Sequence, residues 1–218
     1  WRLLSNKEQE ALTKLAVFKG GFTTEAAFAI TNTSLETLAL LVDASFLTIT
    51  DEGRYDRHPL IEEFSQDVFD KYALAENVKR DFVSYFEKKI DEAEDKLDSE
   101  ERATSVQFFE DELENLQEVL AYYLEQDEIE RGICFANTLD FFWGRSYLDL
   151  AYKWNKAFLD KPSPDTRNKA WCLLHLGGLE WDFGDLDNAF ESINKAWSIA
   201  KTLGNKFLQV AVHNHLAI

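Results

Sequence analysis

Few side chains in this sequence are placed to do chemistry, and the most distinctive is a histidine. His58 stands directly before Pro59 in the segment RYDRHPLIEEF, between a predicted strand and a predicted helix. A histidine at the start of a helix can donate a hydrogen bond to an anion, because the helix dipole favours negative charge at that end. The same residue can instead serve only as the cap of its helix. The sequence leaves both interpretations open.

The other histidines and the cysteines do not form a recognisable catalytic or metal site. His213 and His215 lie two residues apart on a predicted helix, so their side chains point about 200° away from each other and should not bind one metal ion together. Cys134 and Cys172 lack the CxxC spacing of a metal or redox site. We interpret both as small core thiols.

Three acidic residues that lie close together in the sequence, Asp111, Glu112 and Glu114, are candidates for acid–base chemistry. Catalysis would need a raised pKa, and nothing apolar or oppositely charged around them in the sequence argues for one. We therefore interpret them as a solvated helix face.

Charge is distributed unevenly along the 218 residues, whose net charge is -17. Residues 1–73 carry 7 basic and 12 acidic side chains, residues 74–130 carry 6 and 19, and residues 131–218 carry 10 and 9. The acidic middle would repel phosphate, so we do not expect this chain to bind nucleic acid. No run approaches the roughly 18 apolar residues of a membrane span, and two cysteines without a disulfide framework favour a cytoplasmic location.

The sequence contains no nucleotide-binding motif. A GxxxxGK[ST] loop is missing, and Gly20 and Gly21 are followed by Phe22 rather than lysine. No hydrophobic strand ends in paired acids that would hold magnesium. We expect no ATP hydrolysis and no bound cofactor for this chain alone. It begins with tryptophan and contains no methionine, so we expect it to be a piece of a longer protein.

Residues 1–73 predict three helices, a hairpin and a fourth helix, which is the order of a winged-helix domain. FLTIT (46–50) has strand composition, DEG is a turn and RYDRH pairs back. Pro59 fits the first turn of the fourth helix. The first helix has a capping box of Ser5 and Glu8 and is predicted to end at Gly20 and Gly21, and the second starts at Thr24. The third has a capping box of Thr33 and Glu36 and an apolar stripe of Leu35, Leu38 and Val42. The apolar stripe of the fourth helix consists of Ile61, Phe64, Val68 and Tyr72.

The middle segment, residues 74–127, predicts strongly acidic linker helices. Apolar residues recur at helical spacing over 76–97 and again over 105–125. We expect two long amphipathic helices there.

Residues 128–218 contain an internal repeat of 38 residues. Small residues in the second copy would let two antiparallel helices approach closely, which resembles the tetratricopeptide repeat (TPR). We therefore predict a mainly α chain whose C-terminal part is a TPR-like right-handed solenoid. A third copy begins near Asn205 and is cut off after Leu216 and Ala217. The matched pairs are Cys134 with Cys172, Trp143 with Trp181, Leu148 with Leu186 and Ala151 with Ala189, and the packing residues of the second copy are Leu176, Gly177, Ala189 and Ala196.

The order of these blocks resembles the C-terminal half of the STAND class of signal-transduction NTPases, the NB-ARC and apoptotic-ATPase relatives that are abundant as bacterial regulators. The residues that carry the resemblance are LAVFKGGFTTEAA (15–27), RYDRHPLIEEF, ELENLQEVLAYYLEQ (112–126) and the repeat. The resemblance implies that His58 contacts the β-phosphate of ADP and holds the closed state in a full-length parent that binds ATP or ADP with magnesium. Arg57 departs from the family, which usually has an apolar residue before this histidine.

Two functions follow as expectations. In the first, the chain is the regulatory and sensing arm of a STAND-type ATPase: the repeats bind a protein partner or inducer, and the winged helix couples this to a nucleotide-binding domain of the same chain. That domain should show a P-loop about 200 to 300 residues before Trp1. In the alternative, the winged helix reads DNA and the repeats dimerise or bind an inducer. The third helix contains no lysine or arginine and carries Glu36 and Asp43, which favours the first function.

Overall fold

The protein is mainly α-helical, as predicted. A computed structural model describes residues 1, 3–144 and 146–216, with the side chains of 215 and 216 left out. This part of the chain contains twelve helices and one two-stranded antiparallel sheet. It divides into two compact units, Trp1–Tyr122 and Tyr123–Ile218. The elements are α1 Asn6–Leu15, α2 Thr24–Thr31, α3 Leu35–Asp43, β1 Thr48–Ile49, β2 Tyr55–Asp56, α4 Pro59–Phe69, α5 Ala75–Glu94, α6 Arg102–Asp111, α7 Leu113–Glu125, α8 Ile129–Trp143, α9 Leu148–Leu159, α10 Arg167–Asp182, α11 Leu186–Thr202 and α12 Lys206–Leu216.

The first helix begins where its capping box predicts and ends earlier than expected. The Ser5 backbone N–H donates to Glu8 Oε2 at 2.6 Å, and the Glu8 N–H donates to Ser5 Oγ at 3.4 Å. We expected Gly20 and Gly21 to end this helix, but α1 stops at Leu15. The chain beyond it is held by tertiary contacts that helical periodicity does not reveal.

Helix α2 begins at Thr24 as predicted, whereas the N-cap of α3 differs from the prediction. Thr23 caps α2. The capping box expected at Thr33 is wrong: Ser34 caps α3, and its hydroxyl accepts from the Thr37 N–H. Thr33 is buried instead, and its hydroxyl bonds the hydroxyl of Thr31 at 2.6 Å. Either residue is a good cap by type, and burial selects the second.

The predicted hairpin is confirmed, and a third segment joins it. Ile49 pairs with Tyr55 across β1 and β2, and Gly53 takes φ +78° in the turn. The Phe22 N–H donates to the Tyr55 carbonyl at 2.9 Å, and the Tyr55 N–H donates back at 2.8 Å. A Cβ on Gly21 would lie 3.1 Å from the Tyr55 carbonyl oxygen, so this glycine permits the close pairing.

The buried stripes of α3 and α4 differ in register from the prediction. In the predicted α3 stripe Leu38 is buried, but Leu35 is exposed, and Leu41, outside that stripe, is buried. In α4 the buried residues are Ser65 and Phe69, whereas the predicted stripe is only partly covered and its Phe64 is 40% exposed. Short helices with apolar residues on several sides leave the choice of face to the neighbouring elements.

Aromatic side chains form the core of the first unit. Phe18 stacks on Phe22 with ring centroids 4.6 Å apart and meets Phe82 of α5 edge to face at 5.7 Å. Lys89 of α5 forms an ion pair with Glu25 of α2 at 2.8 Å. The helix predicted over 76–97 therefore packs on the N-terminal helices, but it ends at Glu94. Leu97, the last apolar residue of the predicted stripe, lies beyond that end, and the others are buried: Val78, Phe82, Phe86, Ile90 and Ala93.

The helix predicted over 105–125 is two helices rather than one. Helix α6 ends at Asp111, Glu112 forms its C-cap and α7 begins at Leu113. Glu112 is buried at this break and accepts hydrogen bonds from Arg54, 58 residues away, and from the nearby Asn115. Because apolar residues continue at helical spacing over 105–125, the sequence pattern did not predict the break.

The second unit consists of TPR-like helix pairs. Helix α8 begins at Ile129 and α10 at Arg167, and α9 begins at Leu148 and α11 at Leu186. Both offsets equal the predicted 38 residues. The turn between α10 and α11 contains Gly184 at φ +79°, and α12 starts a third copy at Lys206. Ala217, which we assigned to that copy, lies outside the described residues.

Candidate functional sites

His58 forms the N-cap of α4 and is exposed. Its Nδ1 accepts a hydrogen bond from the Leu60 backbone N–H at 3.3 Å. Because Nδ1 is an acceptor here, a neutral ring carries its proton on Nε2, which is left as a donor. The side chain therefore caps its helix, and the same geometry leaves it able to donate to an anion at the positive end of the helix dipole.

Arg57 anchors the segment that carries His58. It is only 5% exposed, and its guanidinium donates to the Leu15 carbonyl at 2.8 Å and to the Phe18 carbonyl. These carbonyls lie at and just after the end of α1, where a cation stabilises the negative end of the helix. Burial lowers the pKa of Arg57, and the nearby carboxylates of Glu62 and Asp56 act in the opposite direction. Arg57 therefore fixes the segment before α4 to the end of α1.

A buried polar cluster joins the hairpin, the loop after α1 and the start of α7. Arg54 donates to Glu112 Oε1 at 2.7 Å and to the Gly21 carbonyl at 2.6 Å. Asn115 donates to Glu112 Oε2 at 2.7 Å, and its Oδ1 accepts from the Lys19 N–H at 3.0 Å. This loop is therefore held in place by side chains from two other elements of the first unit.

The acidic residues considered for acid–base chemistry do not share one environment. Asp111 and Glu114 are exposed, as expected for a solvated face. Glu112 is 4% exposed, so its assignment to that face was wrong. Burial raises the pKa of Glu112, while hydrogen bonds from Arg54 and Asn115 act to lower it. Its charged partner Arg54 is 58 residues away in the sequence, which is why no local pattern indicated the ion pair.

The small residues of the second repeat copy lie where α10 meets α11. A Cβ on Gly177 would lie 2.6 Å from Ile193 Cγ1 and 3.2 Å from the Ala189 carbonyl oxygen. Ala189 and Ala196 are almost completely buried, as is Leu176 on the facing helix. The two helices are therefore in close contact at these positions.

Equivalent residues of the two copies are not equivalently buried. Ala151 is buried like Ala189, and Leu148 is half-buried whereas its counterpart is exposed. Cys172 is buried, which raises the pKa of its thiol, and it donates to Asn155 Oδ1 at 3.4 Å. Cys134 is exposed, so its assignment to the core was wrong. Sequence identity between copies therefore does not ensure equal surroundings.

The turn between α10 and α11 and the adjoining ends of both helices carry several exposed apolar side chains. Phe183 touches Tyr152 edge to face at 5.6 Å and is still 47% exposed. Exposed aromatic residues of this kind are enriched where proteins bind partners. The exposed members are Trp181, Phe183, Leu186 and Phe190.

The third helix does not present a surface suited to DNA. Glu36 and Asp43 are exposed on α3, together with Leu35 and Leu40. A recognition helix reads bases and contacts phosphates with donors and cations. The exposed face of α3 is acidic and apolar instead.

Within the described ranges, no group of three or more His, Cys, Asp or Glu side chains is arranged to hold a metal ion. His213 is exposed on α12, and the side chain of His215 lies outside the described part. Among the helices that the structure describes, none combines the length and apolarity of a membrane span.

No protein-family model matches the chain, and no curated protein matches it. One solved structure resembles it: a Signal Transduction ATPase with Numerous Domains (STAND) protein with a tetratricopeptide repeat sensor from Pyrococcus horikoshii. The identity is 14% and the TM-score 0.36, over 96% of this chain and 47% of the other. The chain thus spans about half the length of that protein.

Proposed function

We propose that this chain is the regulatory and sensing arm of a STAND-type signalling ATPase. Its repeats bind a protein partner or inducer, and residues 1–73 form a winged helix that couples this event to a nucleotide-binding domain elsewhere in the parent chain. The chain itself is not an enzyme and acts in the cytoplasm. The observation that carries the proposal is the succession of a hairpin module, His58 at the start of α4, and helix pairs repeating every 38 residues.

The N-terminal unit supports the coupling role through the position of its histidine. Arg57 ties the chain before α4 to the end of α1, and this places His58 at a defined and exposed helix start. If His58 only filled space in the core, its side chain would not need to be exposed. An exposed N-cap whose second ring nitrogen remains a donor is suited to a contact with a group from another domain.

The repeats support the sensing role through their surface. Paired helices in close contact form a rigid support, and the turn after α10 carries exposed aromatic side chains on it. Rigid helical repeats with exposed aromatic residues are common protein-binding surfaces. In this proposal the partner or inducer binds to the second unit.

The nucleotide belongs to the parent protein, which we expect to bind ATP or ADP with magnesium. His58 fits one contact to a phosphate, because its Nε2 can donate at the positive end of α4. One imidazole is too few donors for a nucleotide site, so the remaining contacts come from the nucleotide-binding domain. The two signalling states differ in the nucleotide that is bound. His58 contributes only a contact that recognises the ADP-bound state.

The test compares His58→Ala in the full-length parent and in this chain alone. A charge-assisted hydrogen bond is worth about 1.5 to 3 kcal/mol, so the variant should loosen ADP by roughly ten- to a hundredfold and speed its exchange. In this chain alone the same change removes an exposed, 3.3 Å cap bond and should cost less than about 1 kcal/mol. Unchanged ADP exchange together with clear destabilisation of the chain would make His58 a structural cap and nothing more.

A further inference from the structure

The second unit contains a cavity of about 520 Å³ between its two repeat copies. The C-terminal halves of α8 and α10 line it, together with residues of α9 and α11. Its volume falls within the range of small-molecule sites. Much of its wall is apolar and comes from Leu148, Ala151, Leu174, Leu179 and Ile193. The cavity is therefore suited to a ligand with an apolar body.

Gly178 leaves space in this cavity at a cost to its own helix. Glycine inside a helix is unfavourable relative to alanine, because it loses more conformational freedom on folding. The adjacent Gly177 has a packing reason, since its Cβ would lie 2.6 Å from Ile193 Cγ1. A Cβ on Gly178 would meet nothing within 4 Å, and Gly178 lines the cavity. Packing therefore does not require this glycine, whereas a ligand that occupies the space beside it would.

A tryptophan of the second copy is left partly uncovered at this cavity. Trp143 and Trp181 are equivalent residues of the two copies, and both line the cavity. Trp143 is 2% exposed, whereas Trp181 is 47% exposed. A large aromatic side chain gains free energy when a ligand covers its exposed apolar surface. Trp181 therefore offers a ligand an aromatic contact.

The lining of the cavity carries more negative than positive charge. Asp140 and Asp182 both line it, and none of its described lining residues is a lysine or an arginine. His175 Nδ1 lies 3.3 Å from Asp140 Oδ1, so a protonated ring balances one of the two carboxylates. Asp182 is exposed at the end of α10 and forms no ion pair with any residue that the structure describes. The cavity therefore retains a negative charge that a cationic ligand can engage.

We propose that this cavity binds a small organic cation with an apolar body, an alkyl- or arylammonium compound. The apolar body fills the space beside Gly178 and contacts Trp181, and the ammonium group lies near Asp182. An anion would meet two carboxylates, and an inorganic cation would leave the apolar wall without a partner. A cation beside aromatic rings is stabilised further by their quadrupole. The assignment rests on the proposed sensing function and gives the chemical class of the inducer.

The test measures calorimetric binding and thermal unfolding of the 218-residue chain with probes matched in shape. Phenethylamine and choline are the cations, phenethyl alcohol and dimethylbutanol are their uncharged counterparts, and hydrocinnamate is an anion of similar size. At least one cation should bind and raise Tm, and its uncharged counterpart should bind at least about threefold more weakly. Hydrocinnamate should not bind. Binding by neither cation, or equal binding of a cation and its uncharged counterpart, would overturn the proposal.

Two variants test the space and the charge of the cavity separately. Gly178→Leu fills the space, so it should abolish binding without lowering the Tm of the ligand-free chain. Its control is Asn194→Leu, at an exposed position of α11 outside the cavity, which should leave binding within about twofold. Binding by Gly178→Leu as tight as that of the parent chain would overturn the proposal.

Asp182→Asn removes a charge without changing volume and should weaken binding of the cation at least about threefold. Its control is Asp187→Asn, because Asp187 is exposed and does not line the cavity. Equal effects of these two changes would overturn the proposal, and this comparison decides it even if Gly178→Leu does not fold. None of these results bears on ADP exchange in His58→Ala, so failure here is distinguishable from failure of the proposed function.

Discussion

Two adjacent glycines of α10 give a sharp test of the packing between the repeat helices. Gly177 and Gly178 lie in the same helix, and both should gain about 0.8 to 1 kcal/mol in intrinsic helix propensity when changed to alanine. A Cβ on Gly178 would meet nothing within 4 Å, so Gly178→Ala should stabilise the protein by about 0.5 to 1 kcal/mol.

Gly177→Ala should have the opposite sign. Its Cβ would lie 2.6 Å from Ile193 Cγ1 and 3.2 Å from the Ala189 carbonyl oxygen, so α10 and α11 would have to move apart. Overpacking of this kind costs about 1 to 3 kcal/mol, which exceeds the gain in propensity at all but the low end. The two variants should therefore differ by about 1 to 3 kcal/mol in the free energy of unfolding.

The measurement is urea unfolding of the parent and both variants, followed by circular dichroism at 222 nm. Variants are compared only if the free energy of unfolding falls with urea concentration as steeply as in the parent, because a different slope indicates a change in the unfolding transition itself. If Gly177→Ala were as stable as Gly178→Ala, the close contact between α10 and α11 would be refuted.

Two further predictions concern the first unit. Arg54→Met should cost about 3 kcal/mol in urea unfolding, because it leaves Glu112 buried without its cation, and the double variant with Glu112→Met should recover most of this loss; equal loss in both variants would show that the ion pair is not the cause. The chain should not bind duplex DNA at physiological salt, because the exposed face of α3 carries Glu36 and Asp43 and no cation; sub-micromolar, salt-sensitive retardation of a random duplex would contradict this.

Local chemistry was enough to place most helices. The capping box of Ser5 and Glu8, the strand composition before Gly53 and the position of Pro59 each involve residues within a few places of one another. Such signals act through backbone hydrogen bonds that are formed inside the element itself. These local signals therefore act in the same way whatever the rest of the chain contributes.

The side of a short helix that faces the core was less predictable. Leu35 and Phe64 were expected inside and are exposed, whereas Ser65 is buried. Each helix offers apolar residues in more than one direction, and its neighbours determine which of them is covered. The end of α1 at Leu15 also depends on neighbouring elements, because the backbone of Phe22 after the helix pairs with the backbone of Tyr55 in the hairpin.

The candidate sites divide in the same way, into features that local patterns predict and features that contacts between distant residues determine. The 38-residue repeat and the helical content were predictable from the sequence, because both are patterns of residue type along the chain. The break at Glu112 was not, since its partner Arg54 is 58 residues away along the chain. Nor was the burial of Arg57, whose guanidinium donates to the carbonyls of Leu15 and Phe18 at and just after the end of α1. The cost of burying a charge depends on which distant groups surround it, and those groups meet only when the chain has folded.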